Sequence, residues 1–411
     1  MITITRLTFA HFALAALVLL SGADIAIAGP KAYVGNFADS TVSVIDTTAG
    51  KVVATIPVAE GPHGMVMTPD GRTVFVAGDA SSKLSVIDTA SDKVVKAIEV
   101  GKSPNGITLT PDGRRLLVTV YAEDRVDILD AATQAIVSTV AVAKPHTVSI
   151  SSDGKTAYVT SQDPGHFALV VIDLAKRAVV RSVPLDKTPR DAEFGSDGKA
   201  FYFTEAGVSA VQVLDPATDK IVAEIPTGVS PHYVNAFPNM ALGVVVVQGP
   251  GEVLLFDPAT NKPVRSIAVG KQPHWLTISR DGKTAYITNE GSNDVSIVDI
   301  AAGKTTSVQV GKAPRKLVVQ QLAQAAAADP KISIAGFAFG PQSVTIHVGD
   351  SITWSNDDGA SHTVTFKDGS AGAKSLAPGQ TFTRVFDKPG TYDYFCSFHP
   401  YMTGKVIVSA G

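Results

Sequence analysis

The sequence predicts an all-β protein in which a seven-bladed β-propeller is followed by a Greek-key β-sandwich. A unit of about 42 residues recurs seven times, and the pattern then changes in the last part of the chain. Within each unit, short segments rich in β-branched residues alternate with Gly, Pro, Asp and Ser turns. No segment of the repeat region sustains a helical period. We therefore expect two β domains of different architecture.

The first 28 residues form a separate segment. Arg6 is the only charged residue before an apolar run from Leu7 to Leu20, and a small-residue cleavage site ends at Ala28. A membrane anchor is the alternative, but the run is shorter than the roughly 20 residues that a span needs. We expect residues 1–28 to be a signal peptide cleaved near Ala28. The mature chain, without a membrane span, would be periplasmic or secreted.

The charge balance argues against nucleic acid as a partner. The chain has 35 Lys and Arg against 38 Asp and Glu, a formal net charge of -3, and no block of like charges. Proteins that bind nucleic acid present a basic patch or stripe. We therefore expect no nucleic-acid partner.

One aspartate marks the end of the third strand in every repeat. Each unit contains four strand-like segments, such as "HGMVMTPD", "TVFVAGD", "KLSVIDTA" and "KVVKAIEV". We expect the aspartate to close a turn with its side chain. Its seven positions, spaced by 42 or 43 residues, are Asp46, Asp88, Asp130, Asp173, Asp215, Asp257 and Asp299.

The two ends of the repeat region are complementary. Residues 31–58 supply three strands without a first strand, and "RKLVVQQ" from Arg315 supplies a first strand without successors. Joining them would complete the seventh blade and cover the open sheet edges.

The repeats resemble those of YVTN-type propellers. "AYVGN" and "AYITN", followed by "TVSVID" and "DVSIVD", carry the likeness, which covers residues 31–320. It implies a propeller domain at residues 29–320. It implies little about activity, because propellers carry many unrelated functions.

Six residues near the predicted channel are candidate ligands. Each follows the proline that begins a first strand, the innermost strand of a blade, so the six should surround one mouth of the channel. Imidazoles would suit a transition metal and guanidiniums an anion or another small ligand. The alternative is a repeated Pro-His turn whose ring bonds to nearby backbone. The six residues are His63, His146, Arg190, His232, His274 and Arg315.

The tail has a different pattern from the repeats. An Ala-rich linker, "QLAQAAAADP", occupies residues 321–330, and residues 331–411 contain about half a dozen strand-like segments. Short turns separate segments such as "SVTIHVGDSITWSN" and "TYDYFC". This spacing is typical of a small Greek-key sandwich.

The chain's single cysteine lies in a pattern that suits a metal. Cys396, His399 and Met402 follow C-x-x-H-x-x-M, and His362 stands 34 residues upstream of the cysteine. A lone thiol cannot form an intramolecular disulfide, so it is inert, reactive or a metal ligand. Two imidazoles, a thiolate and a weak thioether make the ligand set of a blue-copper centre. The alternative is a chance grouping in a sandwich core.

The tail resembles the cupredoxins, the amicyanin and pseudoazurin types most of all. "VGDSITWSNDDGASHTVTF" and "PGTYDYFCSFHPYMTGKVIV" carry this likeness across residues 331–409. The resemblance implies one type 1 copper held by His362, Cys396, His399 and Met402. It also implies that electrons pass to a redox partner at His399, beside the apolar residues Phe398, Pro400 and Tyr401.

These predictions describe an exported copper protein that carries single electrons, with the propeller as a docking or ligand-binding platform. One alternative is a copper oxidoreductase with a second, catalytic metal at the propeller hub, fed by the cupredoxin. A second alternative function is copper storage or delivery. The sequence leaves open whether the chain is an enzyme. The layout also resembles that of nitrous oxide reductase, but the binuclear centre of that family needs two thiolates and this chain has one Cys.

Overall fold

A computed structural model describes residues 30–238, 240–320, 331–347, 350–386, 388 and 390–409. The predicted signal peptide (1–28) and the predicted linker (321–330) lie outside these residues. The described residues form β-strands and two short 3-10 helices, Phe37–Asp39 and Tyr121–Glu123. No helix in the described part of the chain is long and apolar enough to cross a membrane.

Seven four-stranded antiparallel sheets form the N-terminal part, as predicted. Blade 1 contains β4–β7, blade 2 β8–β11, blade 3 β12–β15, blade 4 β16–β19, blade 5 β20–β23, blade 6 β24–β27, and blade 7 β28 with β1–β3. The strands are β1 (Lys31–Asn36), β2 (Thr41–Asp46), β3 (Lys51–Pro57), β4 (Pro62–Met67), β5 (Thr73–Gly78), β6 (Lys83–Asp88), β7 (Lys93–Glu99), β8 (Pro104–Leu109), β9 (Arg115–Val120), β10 (Arg125–Asp130), β11 (Ile136–Ala141), β12 (Pro145–Ile150), β13 (Thr156–Ser161), β14 (Ala168–Asp173), β15 (Ala178–Pro184), β16 (Pro189–Phe194), β17 (Phe201–Glu205), β18 (Ala210–Asp215), β19 (Lys220–Pro226), β20 (Pro231–Asn235), β21 (Gly243–Val247), β22 (Glu252–Asp257), β23 (Lys262–Ala268), β24 (Pro273–Ile278), β25 (Thr284–Asn289), β26 (Asp294–Asp299), β27 (Lys304–Gln309) and β28 (Pro314–Val319).

The ring closes where the two ends of the repeat region meet, which confirms the predicted closure. Strand β28 pairs antiparallel with β1, and Val319 faces Ala32 while Leu317 faces Val34. The first strand of each blade contacts the first strand of the next, and β28 contacts β4. Every blade therefore packs between two others in a closed ring, and the inner strands enclose a channel.

The repeated aspartate closes the turn after the third strand, as predicted. In blade 7, Asp46 Oδ1 accepts hydrogen bonds from the backbone N–H of Thr48 and Ala49, both at 2.9 Å. Such Asx turns satisfy backbone donors that would otherwise need water. A short side chain with an acceptor oxygen is needed for these bonds, which explains why aspartate recurs at this position in every repeat.

Seven apolar clusters, one between each pair of adjacent blades, form the propeller core. Between blades 7 and 1, for example, Tyr33 and Val44 pack with Met65 and Val76. Burying side chains of this size stabilises the fold by roughly 1.5–3 kcal/mol each. The middle strands, buried on both faces, therefore hold the blades together.

The C-terminal part is a two-sheet sandwich, as predicted. One sheet has the order β30-β29-β32-β35 and the other β31-β37-β36-β33-β34. Trp354, Phe366 and Tyr394 fill its core. The strands are β29 (Lys331–Ala335), β30 (Ala338–Gly340), β31 (Ser343–His347), β32 (Ser351–Asn356), β33 (His362–Phe366), β34 (Ala373–Leu376), β35 (Thr381–Val385), β36 (Gly390–Phe395) and β37 (Thr403–Ser409).

Candidate metal centre

Two neighbouring strands bring the predicted ligands of the sandwich together. His362 begins β33, and Cys396 follows the last residue of β36. These strands pair antiparallel, with Thr365 opposite Phe395 and Phe366 opposite Tyr394, so the start of β33 lies beside the residues that follow β36. His399 and Met402 lie in the turn that leads to β37.

A thiol and two imidazoles converge in this region. The Sγ atom of Cys396 lies 3.7 Å from Nδ1 of His362 and 3.7 Å from Nδ1 of His399. The ligand atoms of the three residues all lie within 4.8 Å of one another. Cys396 and His362 are fully buried and His399 is half-buried. The cluster therefore opens toward the surface on the His399 side.

The separations suit three ligands that share one metal ion. With the bond lengths typical of zinc, about 2.3 Å to a thiolate and 2.0 Å to an imidazole, two ligands of one ion at about 120° would place sulfur and nitrogen about 3.7 Å apart. Both S–N distances have that value. The donor set of two imidazoles and one thiolate is the one that blue-copper sites use. The residues present therefore fit copper.

Backbone hydrogen bonds fix the turn that carries the cysteine. The Cys396 N–H donates to the Met402 carbonyl at 3.1 Å, and the Met402 N–H donates to the His399 carbonyl at 2.9 Å. From β33, the Thr363 N–H donates to Cys396 Sγ at 3.3 Å. Met402 is 2% exposed and packs in the same core cluster as the cysteine. These hydrogen bonds hold the shape of the turn.

Asp358 is a neighbour of the site that the sequence analysis missed. Its Oδ2 lies 3.0 Å from Nε2 of His362, and since a carboxylate only accepts, Nε2 must carry the proton. Nδ1, which faces Cys396, is then left with its lone pair. Hydrogen bonds from the Phe337 and Gly336 N–H groups, and then from His362, lower the pKa of Asp358.

An apolar surface surrounds His399. Phe398 and Tyr401, predicted to lie beside it, are 54% and 71% exposed. The turn between β29 and β30 adds Phe337, which is 43% exposed and has its ring centroid 4.9 Å from that of His399. Sequence spacing gave no sign of Phe337, because its turn reaches the site only through the sandwich fold. Its ring and the two predicted residues form the surface around the exposed histidine.

The four predicted hub histidines also meet, at the centre of the propeller. The ring centroid of His63 lies 5.8 Å from the centroid of His146 and 5.8 Å from that of His274. The ring centroids of His232 and His274 are 4.0 Å apart. The four rings line one small cavity of about 30 Å³. Arg190 also lines it.

Arg315 differs from the other hub candidates. It does not line the cavity. Its guanidinium stacks over the Phe37 ring at 3.6 Å and pairs with Glu290 at 3.2 Å. Arg190 instead donates to Ser230 and Gln248, at 2.8 and 3.2 Å.

The environment keeps the hub imidazoles uncharged. Burial lowers the pKa of His146 to about 4 and that of His232 to about 3. Burial also lowers the pKa of His63 and His274 well below their usual values, and the neighbouring imidazoles add to the effect. The hub histidines are therefore neutral at physiological pH.

A second group of charged residues lines the same cavity and was not predicted. Burial raises the pKa of Asp191 and Glu193 and lowers that of Lys316. The Lys316 ammonium lies 3.9 Å from the Trp275 ring centroid. The first strands change register after their proline, at Asp191 in blade 4 for example. Simple alternation therefore could not predict which residues face the channel.

The hub gathers imidazoles but not in the arrangement of a metal site. Among the described residues, His362, Cys396 and His399 form the only group of three His, Cys, Asp or Glu residues whose ligand atoms lie within 4.8 Å of one another. One ring nitrogen at the hub already bonds to protein, since His146 Nδ1 lies 3.0 Å from the Arg190 carbonyl. The geometry does not support a second metal.

Comparisons with known proteins agree with both parts of the fold. The family model of the cupredoxin-like domain matches residues 316–408, and that of the YNCE-like beta-propeller matches residues 26–111. Amicyanin-alpha of Methylorubrum extorquens is 37% identical over 95 residues, which cover 22% of this chain and 80% of that protein. The chloroplastic plastocyanin of Tetradesmus obliquus is 41% identical over 83 residues, covering 17% of this chain and 57% of that protein. Hydrazine synthase of Kuenenia stuttgartiensis, a solved structure, has a TM-score of 0.60 at 22% identity, covering 66% of this chain and 92% of that chain.

The fold and the His–Cys–His triangle define a β-propeller followed by a cupredoxin-like domain with a candidate copper site. Through its C-terminal part, the chain belongs to the cupredoxin family, together with amicyanin and plastocyanin. The region that the cupredoxin family model matches begins within β28, which is a strand of blade 7. The first strand of the sandwich itself begins later, at Lys331. The likeness to hydrazine synthase shows the propeller fold alone.

Proposed function

We propose that this protein is an exported electron carrier with one type 1 copper centre. The observation that carries this proposal is the His–Cys–His triangle with two S–N distances of 3.7 Å. In it, Cys396, His362 and His399 would hold copper, and Met402 would add a weak fourth ligand. When bound, copper would supply one-electron chemistry by alternating between its two common oxidation states.

The protein's own contribution is a site that keeps its shape. The β33–β36 pairing fixes His362 and Cys396, and the hydrogen-bonded turn fixes His399. The Thr363 N–H donates to the cysteine sulfur and would limit its movement when the charge changes. A preorganised site exchanges an electron with little rearrangement, which is what a carrier needs.

We propose that the surface around His399 is where a redox partner protein docks. Phe398, Tyr401 and Phe337 expose apolar area beside the half-buried imidazole. Interfaces are enriched in aromatic residues at their centres. An electron could leave through His399 without passing through the buried side of the site.

We propose that residues 29–320 form the propeller domain and residues 331–411 the copper domain, joined by the linker at 321–330. The propeller would act as a docking or ligand-binding platform, with the hub cavity between His63, His146, Arg190, His232 and His274 as its candidate ligand site. Residues 1–28 would direct export to the periplasm or beyond. The apolar run and the small-residue site before Gly29 support that assignment.

The copper content of the mature protein tests this function against the alternative of a second, catalytic metal at the hub. We expect elemental mass spectrometry of copper-loaded, desalted protein to give one copper per chain. The His232→Ala and His274→Ala double variant should give the same ratio, because the hub rings do not form a metal-ligating group of three. Two coppers in the wild type and one in the double variant would contradict the single-site proposal.

A further inference from the structure

We propose that Asp358 is a positioning residue of the metal centre, which tunes the reduction potential through His362 and holds Phe337 over both histidines. This inference rests on the proposed copper site. Asp358 lies outside the ligand set, and no metal bond is assigned to it. The residue acts through two sets of hydrogen bonds made by one carboxylate.

The first set ends on the buried histidine. Asp358 Oδ2 accepts from His362 Nε2 at 3.0 Å, and the histidine itself is fully buried. The bond fixes the ring rotation and directs Nδ1 toward Cys396 Sγ at 3.7 Å. A carboxylate behind a ligating imidazole increases the basicity of the ligating nitrogen. The carboxylate should therefore stabilise the more highly charged, oxidised metal and lower the reduction potential.

The second set holds the turn between β29 and β30. The Gly336 N–H donates to Oδ1 at 2.7 Å, and the Phe337 N–H donates to Oδ2 at 2.9 Å. Phe337 has φ 55°, in the left-handed region that a bulky residue rarely adopts. The two hydrogen bonds to Asp358 help to hold this unfavourable backbone conformation.

The turn places an aromatic ring across the site. The ring centroid of Phe337 lies 5.4 Å from that of His362 and 4.9 Å from that of His399, with interplanar angles of 75° and 87°. Asp358 thus connects the buried histidine with the apolar surface around the exposed one. Loss of the carboxylate should loosen both.

The chain offers a matched control in the adjacent carboxylate. Asp357 accepts hydrogen bonds from Ser333 and Ser355, at 2.6 and 2.7 Å. Asp357→Asn therefore removes one charge close to the site without changing the bond to His362. Asp358→Asn removes the same charge and weakens the bond to the imidazole.

The test compares reduction potentials of the full-length, copper-loaded proteins, with the visible spectrum as a check on the site. We expect Asp358→Asn to keep the blue band and to raise the potential several times more than Asp357→Asn does. The potential of Asp358→Glu, which keeps the charge, should lie nearer that of the wild type. If Asp358→Asn binds no copper while Asp358→Glu and Asp357→Asn bind it, the loss of binding supports the same positioning role.

Equal shifts in Asp358→Asn and Asp357→Asn, or no shift in either, would overturn the inference. A wild-type protein without a blue band would instead refute the proposed function. The two failures are therefore distinguishable in one set of samples.

Discussion

Cys396→Ser should abolish the intense visible absorption of the copper-loaded protein and weaken copper binding by more than about 100-fold. Removing residues that only support a metal site costs about 10- to 100-fold in affinity, and a lost ligand should cost more. No other thiol can replace this one, because the chain has a single cysteine. Absorption spectra and copper titration in competition with a chelator measure both effects.

The control for this variant is Ser397→Ala, one residue along the same turn. Ser397 contacts Thr363, at 2.6 and 3.0 Å, and lies outside the ligand triangle. This change should keep the blue band. If Cys396→Ser also kept the band, the assignment of the cysteine as a ligand would be wrong.

The hub histidines should make the propeller sensitive to acid. Burial, followed by the charge of Arg190, lowers the pKa of His232 to about 3, against about 6.5 in an unfolded chain. Between these values the unfolded chain binds the proton and the folded one does not. Proton binding therefore favours the unfolded state, and the free energy of unfolding falls by up to about 1.4 kcal/mol per pH unit as pH falls from about 6.5 toward 3.

Substituting His232 isolates its share of this acid sensitivity. Buried Asp191 and Glu193 have raised pKa values and act in the opposite direction, but they are present in both proteins being compared. Relative to the wild type, His232→Gln should therefore gain stability steadily as pH falls below about 6.5. His166→Gln is the control, because that side chain is 83% exposed.

Denaturant unfolding at several pH values measures this difference. Trp275 lies in the propeller and Trp354 in the sandwich core, and they are the only two tryptophans of the chain. In a Trp354→Phe background, the fluorescence of Trp275 reports the propeller alone. A stability difference between wild type and His232→Gln that did not change between pH 7 and 4 would contradict a buried, neutral imidazole.

Much of the fold could be predicted because its determinants are local and repeated. The aspartate that closes each turn recurs at nearly constant spacing, and the incomplete units at the two ends predicted the pairing of β28 with β1. The grouping of Cys396 and His399 was predictable for the same reason, since one short turn carries both. The position of His362 required only that its strand lie beside β36.

The remaining features depend on tertiary contacts that spacing does not encode. Phe337 reaches the site from a turn in the other sheet, and Asp358 meets it only because the turn between β29 and β30 folds back. At the hub, register shifts after the prolines place Asp191 and Lys316 beside the imidazoles. In blade 4, the consecutive residues Arg190 and Asp191 both line the cavity, which alternation along an ideal strand does not predict.

A reductive titration of the copper-loaded, full-length protein in the presence of a copper chelator tests electron carriage most directly. We predict that one electron per chain bleaches the blue band, that reoxidation restores it fully, and that the chelator removes no copper during the cycle. Loss of copper to the chelator on reduction would indicate storage or delivery. Uptake of more than one electron per chain would indicate a second redox site, and either result would contradict a single-copper electron carrier.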